Sequence, residues 1–462
     1  MGTPLEPGGV PVAAGASLAV TACLTRLDGR DVAYFRLEGG KRAGAVGPAE
    51  GKALERLVRL AVDAGRPVVG VLSTSGADIH EGVASLHAWG RMARAVAAGS
   101  GVVPVVFCVV GPCTSGPALM LGLADHVVMT ADAFAYVTGP DAIAGFTGIE
   151  IDHHTLGGAA THDTRTGVAS LVAADEDDAV TAAADLLSYL PSHHLGDAPV
   201  WRSDERLDRD TALAAAAVPS EARASYDVRI VLADVFDAGS VLELRARHAR
   251  NMVTAYARLG GRAVGVIANQ PLCRAGTIDI EASRKAARFV QHCDAFNLPL
   301  MTFVDTPGFE PGKDLEWRGM IRHGAELVHA YAAATVPRLC LVLRKAYGGA
   351  YIVMDSRRLG NDACFAWPDA EIAVMGARGA VQVLFGKRLA AVADEAEREA
   401  MRTRLEADYE LMYCNPTVAA QRGLVDDVVD PLHTRRVLGH ALAAHAIKRE
   451  RPAPRKHSIS PC

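Results

Sequence analysis

Apolar residues in this chain fall into short unbroken runs, separated by longer stretches where they recur every three or four positions. Val68–Leu72 and Val102–Val110 have the length and composition of buried strands, and His126–Met129 is a shorter run of the same kind. Between them, Glu81–Ala98 spaces its apolar positions as an amphipathic helix, and Pro117–Leu123 begins another. The second half repeats the alternation. Ala263–Ile267, Pro299–Val304 and Arg338–Leu343 read as strands. Ile280–Cys293 reads as a helix, with Ala282, Ala286 and Val290 four residues apart, as do Gly319–Ala334 and a helix opening at Gly349–Ser356. Asp394–Leu411 and Leu438–Arg449 are helical patterns that close the chain. Leu190-Pro191-Ser192-His193-His194 ends a helix, and the mixed polar stretch to Ser225 reads as a linker. Strand, small-residue turn and helix thus follow one another in both halves. The order predicts an α/β protein of two structurally related domains built on parallel sheets.

Two of the turns carry candidate chemistry. Gly111-Pro112-Cys113-Thr114-Ser115-Gly116-Pro117-Ala118 follows the Val102–Val110 run, and Ala346-Tyr347-Gly348-Gly349-Ala350-Tyr351 follows Leu339–Leu343. A strand that turns through small residues into a helix presents backbone N–H groups at the helix start, where they stabilise negative charge developing on an oxygen. Two such corners suit a reaction that polarises two carbonyl oxygens.

Composition narrows the class. The chain has 462 residues, half of them hydrophobic and 22% charged, which suits a globular protein of two or three domains. A formal net charge of −5 gives no general attraction to nucleic acid. No run of 18 apolar residues occurs, so no membrane-spanning helix is expected, and the start lacks the basic region of a signal peptide. The nine cysteines form no CxxC pair, and several lie in apolar runs. They read as reduced buried thiols of a cytoplasmic protein, with no metal site expected.

The second half resembles the carboxyltransferase β subunits of biotin-dependent acyl-CoA carboxylases, of the propionyl-CoA and acetyl-CoA carboxylase type. The resemblance rests on Ala268-Asn269-Gln270-Pro271, Ala275-Gly276-Thr277-Ile278-Asp279, Lys285–Phe289, Phe303–Phe309, Ile321–Ala325, Ala332–Pro337, Ala346–Tyr351, Ala366-Trp367-Pro368, Val374-Met375-Gly376 and Arg455-Lys456-His457. The first half is similar but more worn, matching at Gly111-Pro112-Cys113, Thr138–Asp141, Leu156–Ala159, Thr161-His162, Thr164-Arg165, Gly167–Ala169 and Ala173–Glu176. Departures lie at the loops. The family's Ser-Gly-Gly-Ala-Arg-Ile-Gln-Glu-Gly stands here as Thr74–Gly82, with Asp78 in place of the basic residue. Its Gly-Pro-Cys-Ala-Gly-Gly-Ala has become Gly111–Pro117, and its Phe-Gly-Gly-Ser-rich segment Leu37–Gly44. Ser75-Gly76-Ala77-Asp78-Ile79 also resembles the Ala-Gly-Ala-Asp-Ile segment of the wider crotonase superfamily.

The resemblance implies an α/β fold of two crotonase-like domains (ClpP/crotonase superfamily) in tandem. These would be residues 27–215 and 216–462, after an N-terminal extension of residues 1–26. It implies transfer of a carboxyl group from carboxybiotin to the α-carbon of an acyl-CoA, with biotin carried on a partner, since the chain has no biotinylation site or ATP-binding half of its own. The partners implied are an acyl-CoA, a biotin carboxylase and biotin carrier subunit, and further copies in a homo- or hetero-hexamer, without nucleic acid or membrane. By the same resemblance, Ser115 and Gly116 would supply the amides facing the acyl thioester, and Gly349 and Ala350 those facing biotin. Gly76, Ala77, Tyr351 and Ile352 would line the substrate sites. Ile352 stands where propionyl-type members often carry Asp, which hints at a different acyl preference.

Other residues read as structural. His80, His153, His154, His162 and His323 lack metal-ligand spacing, and His153-His154 falls in a predicted loop. Asp78 and Glu81 could form an acid/base pair but suit a helix cap better. Two other functions fit the worn first half: a pathway-specific variant acting on a carrier-protein thioester or as a decarboxylase, and a non-catalytic assembly partner of a true β subunit.

Overall fold

The computed structural model describes residues 5–6, 9–13, 19–38, 42–221, 224–448, 450, 453–454 and 456–461. Gly39–Lys41 of the altered N-terminal loop, Arg455 of the tail and Cys462 lie outside the described residues. The chain forms two compact units. The first comprises Met1–Pro199, Leu244–His248 and Ala295–Asn297; the second comprises Val200–Glu243, Ala249–Asp294 and Leu298–Cys462.

The first unit holds strands β1 (Val10–Ala13), β2 (Val20–Leu27), β3 (Arg30–Leu37), β4 (Val68–Thr74), β5 (Val105–Thr114), β6 (His126–Thr130), β7 (Phe134–Tyr136) and β8 (Leu171–Ala173). Their order is β1-β2-β3-β4-β5-β6-β8, with β7 beside the end of β5. The pairs from β3 onward are parallel, and β1, β2 and β3 pair antiparallel. Much of the stretch expected as an N-terminal extension is therefore sheet. Val20, Ala22 and Leu27 turn inward, and β2 meets β3 through a tight turn at Asp28-Gly29. The core lies on the strands Val68–Leu72 and Val105–Val109, both expected from their apolar runs, with Phe35 and Phe107 packed edge to face. Full burial of each such side chain stabilises the fold by about 1.5–3 kcal/mol.

The helix Pro48–Ala64 covers one face of this sheet with Leu54, Leu57, Val58 and Ala61. Pro48 opens it, and the Glu50 carboxylate accepts the Gly47 and Ala19 N–H groups. The expected amphipathic helix is Val83–Gly99. Pro117–Leu123 forms a 3-10 helix spanning Gly116–Gly122. His153-His154, expected in a loop, opens the short helix His153–Gly157, because the Asp152 carboxylate accepts the His154 and Thr155 N–H groups at 2.9 Å.

The second unit repeats the plan with β9 (Leu242–Leu244), β10 (Met252–Leu259), β11 (Arg262–Asn269), β12 (Leu300–Thr306), β13 (Arg338–Tyr347), β14 (Ala363–Ala366), β15 (Glu371–Ala373) and β16 (Asp427–Val428). The order is β9-β10-β11-β12-β13-β14-β16, with β15 beside the end of β13. As β2 and β3 do, β10 and β11 pair antiparallel, and every later pair is parallel. Even an irregularity is duplicated. Leu72 pairs with Val109 but Thr74 with Cys113; Val304 pairs with Val342 but Thr306 with Ala346. In each unit the central strand bulges before its last residues, which bends the corner out of the sheet. Among the described residues, no helix is long and apolar enough to cross a membrane.

Candidate active site

Each bulged strand ends in a corner, and the two corners share a backbone design. Thr114 closes β5 and Ser115 follows with φ 63°; Tyr347 closes β13 and Gly348 follows with φ 60°. Gly116 and Gly349 then enter the first helical turn, where N–H groups precede any intrahelical acceptor. Ser115 is a non-glycine residue in a conformation suited to glycine, with ψ −146°, a strain of about 1–3 kcal/mol.

The neighbouring strand supplies a second donor at each corner. Val46 makes an isolated parallel bridge to Ala77: its N–H donates to Gly76 O at 2.8 Å, and its O accepts the Asp78 N–H at 2.9 Å. In such a ladder the residue between those two bonds turns its own N–H to the opposite side. Ile278 bridges Phe309 in the same way, donating to Gly308 O at 3.1 Å and accepting from Glu310 N–H at 3.0 Å. Neither Ala77 nor Phe309 donates its N–H to a described residue. The preceding glycines hold the turn, with φ 104° at Gly76 and 146° at Gly308, and their N–H groups reach Thr74 Oγ1 and Thr306 Oγ1. A Cβ on Gly76 would lie 3.0 Å from Ser115 Cβ, so the Gly76–Ala77 turn lies beside Ser115. At the second corner a Cβ on Gly349 would lie 3.7 Å from the Phe309 ring.

One expectation changes here. The Ser115 N–H is not available to a ligand, because it donates to Tyr136 O at 2.9 Å as the ladder of β5 with β7 runs on past Thr114. Pro117 occupies the position equivalent to Ala350 and has no N–H to offer. The outward amide of the first corner is that of Ala77, beside Gly116. Gly116 itself is required: a Cβ there would lie 2.6 Å from the Trp89 indole.

The second corner opens on a cavity of about 450 Å³. Gly348, Gly349, Tyr351 and Ile352 line one wall, and Tyr409, Tyr413 and Arg422 come from the helices near the C-terminus. Those three were not legible in the sequence, since only folding brings residues some sixty positions downstream against the corner. Burial, followed by the hydroxyl's bond to the Glu371 carboxylate, pushes the Tyr347 phenol well above its ordinary range. That bond and the close approach of Gly376, whose Cβ would lie 3.2 Å from the ring, hold Tyr347 at the base of the corner. Ala350 and Tyr351 are buried in the helix Gly348–Val353, whereas Ile352 is 44% exposed on the cavity side. Behind that helix, Asp355 (φ 61°) forms a fully buried ion pair with Arg338, the first residue of β13, at 2.7 Å.

The remaining candidates take structural places. Asp78 caps the turn Ile79–Glu81 by accepting the His80 N–H at 3.0 Å, and it pairs with Arg42. Glu81 is exposed. His162 bridges Ala135 O and Thr166, His153 meets the Tyr136 hydroxyl at 2.9 Å, and His323 meets Glu326 at 2.8 Å. Among the described residues, no group of three or more His, Cys, Asp or Glu could hold a metal ion.

Residues 12–459 match the carboxyl transferase domain family. Over 446 residues the chain is 44% identical to the propionyl-CoA carboxylase beta chain of Saccharopolyspora erythraea, covering 94% of this chain and 82% of that protein. It is 39% identical over 436 residues to the methylmalonyl-CoA decarboxylase subunit alpha of Veillonella parvula, covering 94% and 84%. The crystal structure of transcarboxylase 12S with hydrolysed methylmalonyl-coenzyme A bound superposes with a TM-score of 0.95 at 39% identity, over 100% of this chain and 91% of that one. The agreement spans both units, and the chain belongs to the carboxyl transferase domain family.

Proposed function

We propose that this protein is the carboxyltransferase subunit of a biotin-dependent acyl-CoA carboxylase, moving a carboxyl group from carboxybiotin on a partner protein to the α-carbon of an acyl-CoA. The observation that carries this reading is the duplicated donor pair: Ala77 with Gly116 in one unit, Phe309 with Gly349 in the other. Carboxyl transfer places negative charge on two oxygens, one thioester and one urea, and asks little else of the protein beyond holding the reactants. At the first corner the Ala77 and Gly116 amides would hold the thioester oxygen as it becomes an enolate.

The second cavity suits a biotin head. Its volume lies in the range of small-ligand sites, and Ile352, Ile372 and Val374 give it apolar walls for a fused ring. The Phe309 and Gly349 amides, with Ala350 behind them, would hold the urea oxygen. Carboxybiotin, when bound, supplies the carboxyl group and a nitrogen able to take the α-proton. A strong side-chain base is then unnecessary, which agrees with corners built from main chain.

Acyl-CoA, a biotin carrier with its carboxylase, and further copies of this chain are the partners this reading implies. Incubation with free biotin and malonyl-CoA or methylmalonyl-CoA tests it in reverse: the expected outcome is biotin-dependent loss of the thioester carboxylate. Absence of turnover with every acyl-CoA tried would sink it. The likeness to a methylmalonyl-CoA decarboxylase subunit favours one second reading, that the carboxyl group leaves an acyl-CoA in the physiological direction. Comparing the rates of the two directions separates them.

A further inference from the structure

Arg422 lines the cavity at the second corner. Its backbone N–H closes the short helix Pro416–Gln421 by donating to Val418 O at 3.2 Å, and Gly423, at φ 65°, turns the chain away behind it. The root of the side chain is therefore fixed. The guanidinium is exposed and makes no ion pair or hydrogen bond with a described residue. Gly349 and Ile352 line the same cavity, and the rest of its lining is apolar or phenolic. Among the described residues it is the one cationic side chain in that lining.

A cation in the lining of an apolar cavity attracts an anionic group more strongly than it would in open water, and a guanidinium presents paired donors that match a carboxylate. The amides of the corner suit a neutral carbonyl that gains charge. The cavity thus offers one place for a polarised oxygen and another for a full negative charge, which a carboxylated urea carries and a plain urea lacks.

We infer that Arg422 binds the carboxylate of the carboxylated urea at the second corner, so that the cavity distinguishes the loaded from the unloaded ring. This rests on the carboxyl-transfer reading above. It makes Arg422 a binding residue: the guanidinium holds the carboxylate before it departs and releases the ring once the charge has left. A charge-assisted contact of this kind corresponds to about a 10- to 100-fold preference.

Calorimetric titration of the full chain with two stable probes tests this without turnover. One probe is biotin amide, which is neutral; the other is its N1-carboxymethyl derivative, which places a carboxylate beside the same ring nitrogen. The wild-type protein is expected to bind the derivative at least 10-fold more tightly than the amide. Arg422→Gln should bring the ratio to about one while leaving the affinity for biotin amide within about twofold, and Arg422→Lys should keep part of the preference. Equal binding of both probes by the wild type, or a preference that survives in Arg422→Gln, overturns the role of Arg422 and leaves the carboxyl-transfer reading standing. Binding of neither probe by the wild type overturns both.

Discussion

Ser115 shows how one side chain alters a corner without removing it. Its backbone is held at φ 63° and ψ −146°, where glycine is at ease and a Cβ is not. Ser115→Gly should relieve that strain and stabilise the protein by about 1 kcal/mol in reversible chemical unfolding, offset in part by the greater freedom of glycine in the unfolded chain. Carboxyl transfer should be retained, since the amides assigned to the first corner belong to Ala77 and Gly116. Gly76→Ala should do the reverse, because φ 104° and the contact with Ser115 both oppose a Cβ; a loss of about 1–3 kcal/mol and a fall in acyl-CoA turnover are expected. Cys113, three residues before Gly116, is buried, and burial pushes its thiol up to about 12. Only the thiolate reacts, so at pH 8 about one molecule in ten thousand is competent. Alkylation followed by mass spectrometry should leave Cys113 unmodified in the folded protein, with reactivity rising about tenfold per pH unit toward 12. All these sites were readable as small residues in turns, but which amide points outward was not, since that depends on the neighbouring strand.

The strand–corner–helix element of the second unit is tied at its far end as well as at the corner. Arg338 opens β13, Asp355 follows the helix that β13 leads into, and their ion pair is wholly buried. Arg338 also donates to the carbonyls of Leu359 and Gly360, so it ties the returning chain to the strand. Asp355→Ala leaves a buried guanidinium uncompensated and should cost about 3–5 kcal/mol. Because the helix carries Gly349 and Ala350, the variant should also lose carboxyl transfer at temperatures where circular dichroism still reports a folded protein. The strands and helices of this element were legible as a continuous apolar run followed by small residues. The ion pair was not, because Arg338 and Asp355 are ordinary surface residue types until the fold excludes water from both.

At the scale of the molecule, the same sheet order, bulge position and donor arrangement occur in two units of very different sequence. In the sequence the duplication showed as alternating strands and helices with a small-residue corner in each half. Its closest correspondences, Val46 with Ala77 and Ile278 with Phe309, share almost no residue type. The first unit also leaves Phe146, in the short helix Pro140–Thr147, 93% exposed and Ile149, just beyond that helix, 61% exposed, a local apolar surface that contact with another chain would cover. Light scattering is expected to find an assembly of several copies, and Phe146→Asp is expected to shift it to smaller species.

The order of apolar runs and small-residue turns was enough to determine the α/β class, most of the central strands and the two corners, because a buried parallel strand needs an unbroken apolar run and a tight corner needs small residues. The tertiary structure decided what those corners expose. It committed the Ser115 amide to Tyr136, turned Ala77 and Phe309 outward through single bridges to Val46 and Ile278, and brought Arg422 into the lining of a cavity begun some seventy residues earlier. Hydrogen-bond direction alternates along a strand and depends on which chain lies beside it. No local pattern of side chains encodes that, so donor geometry becomes readable only when the strands have met.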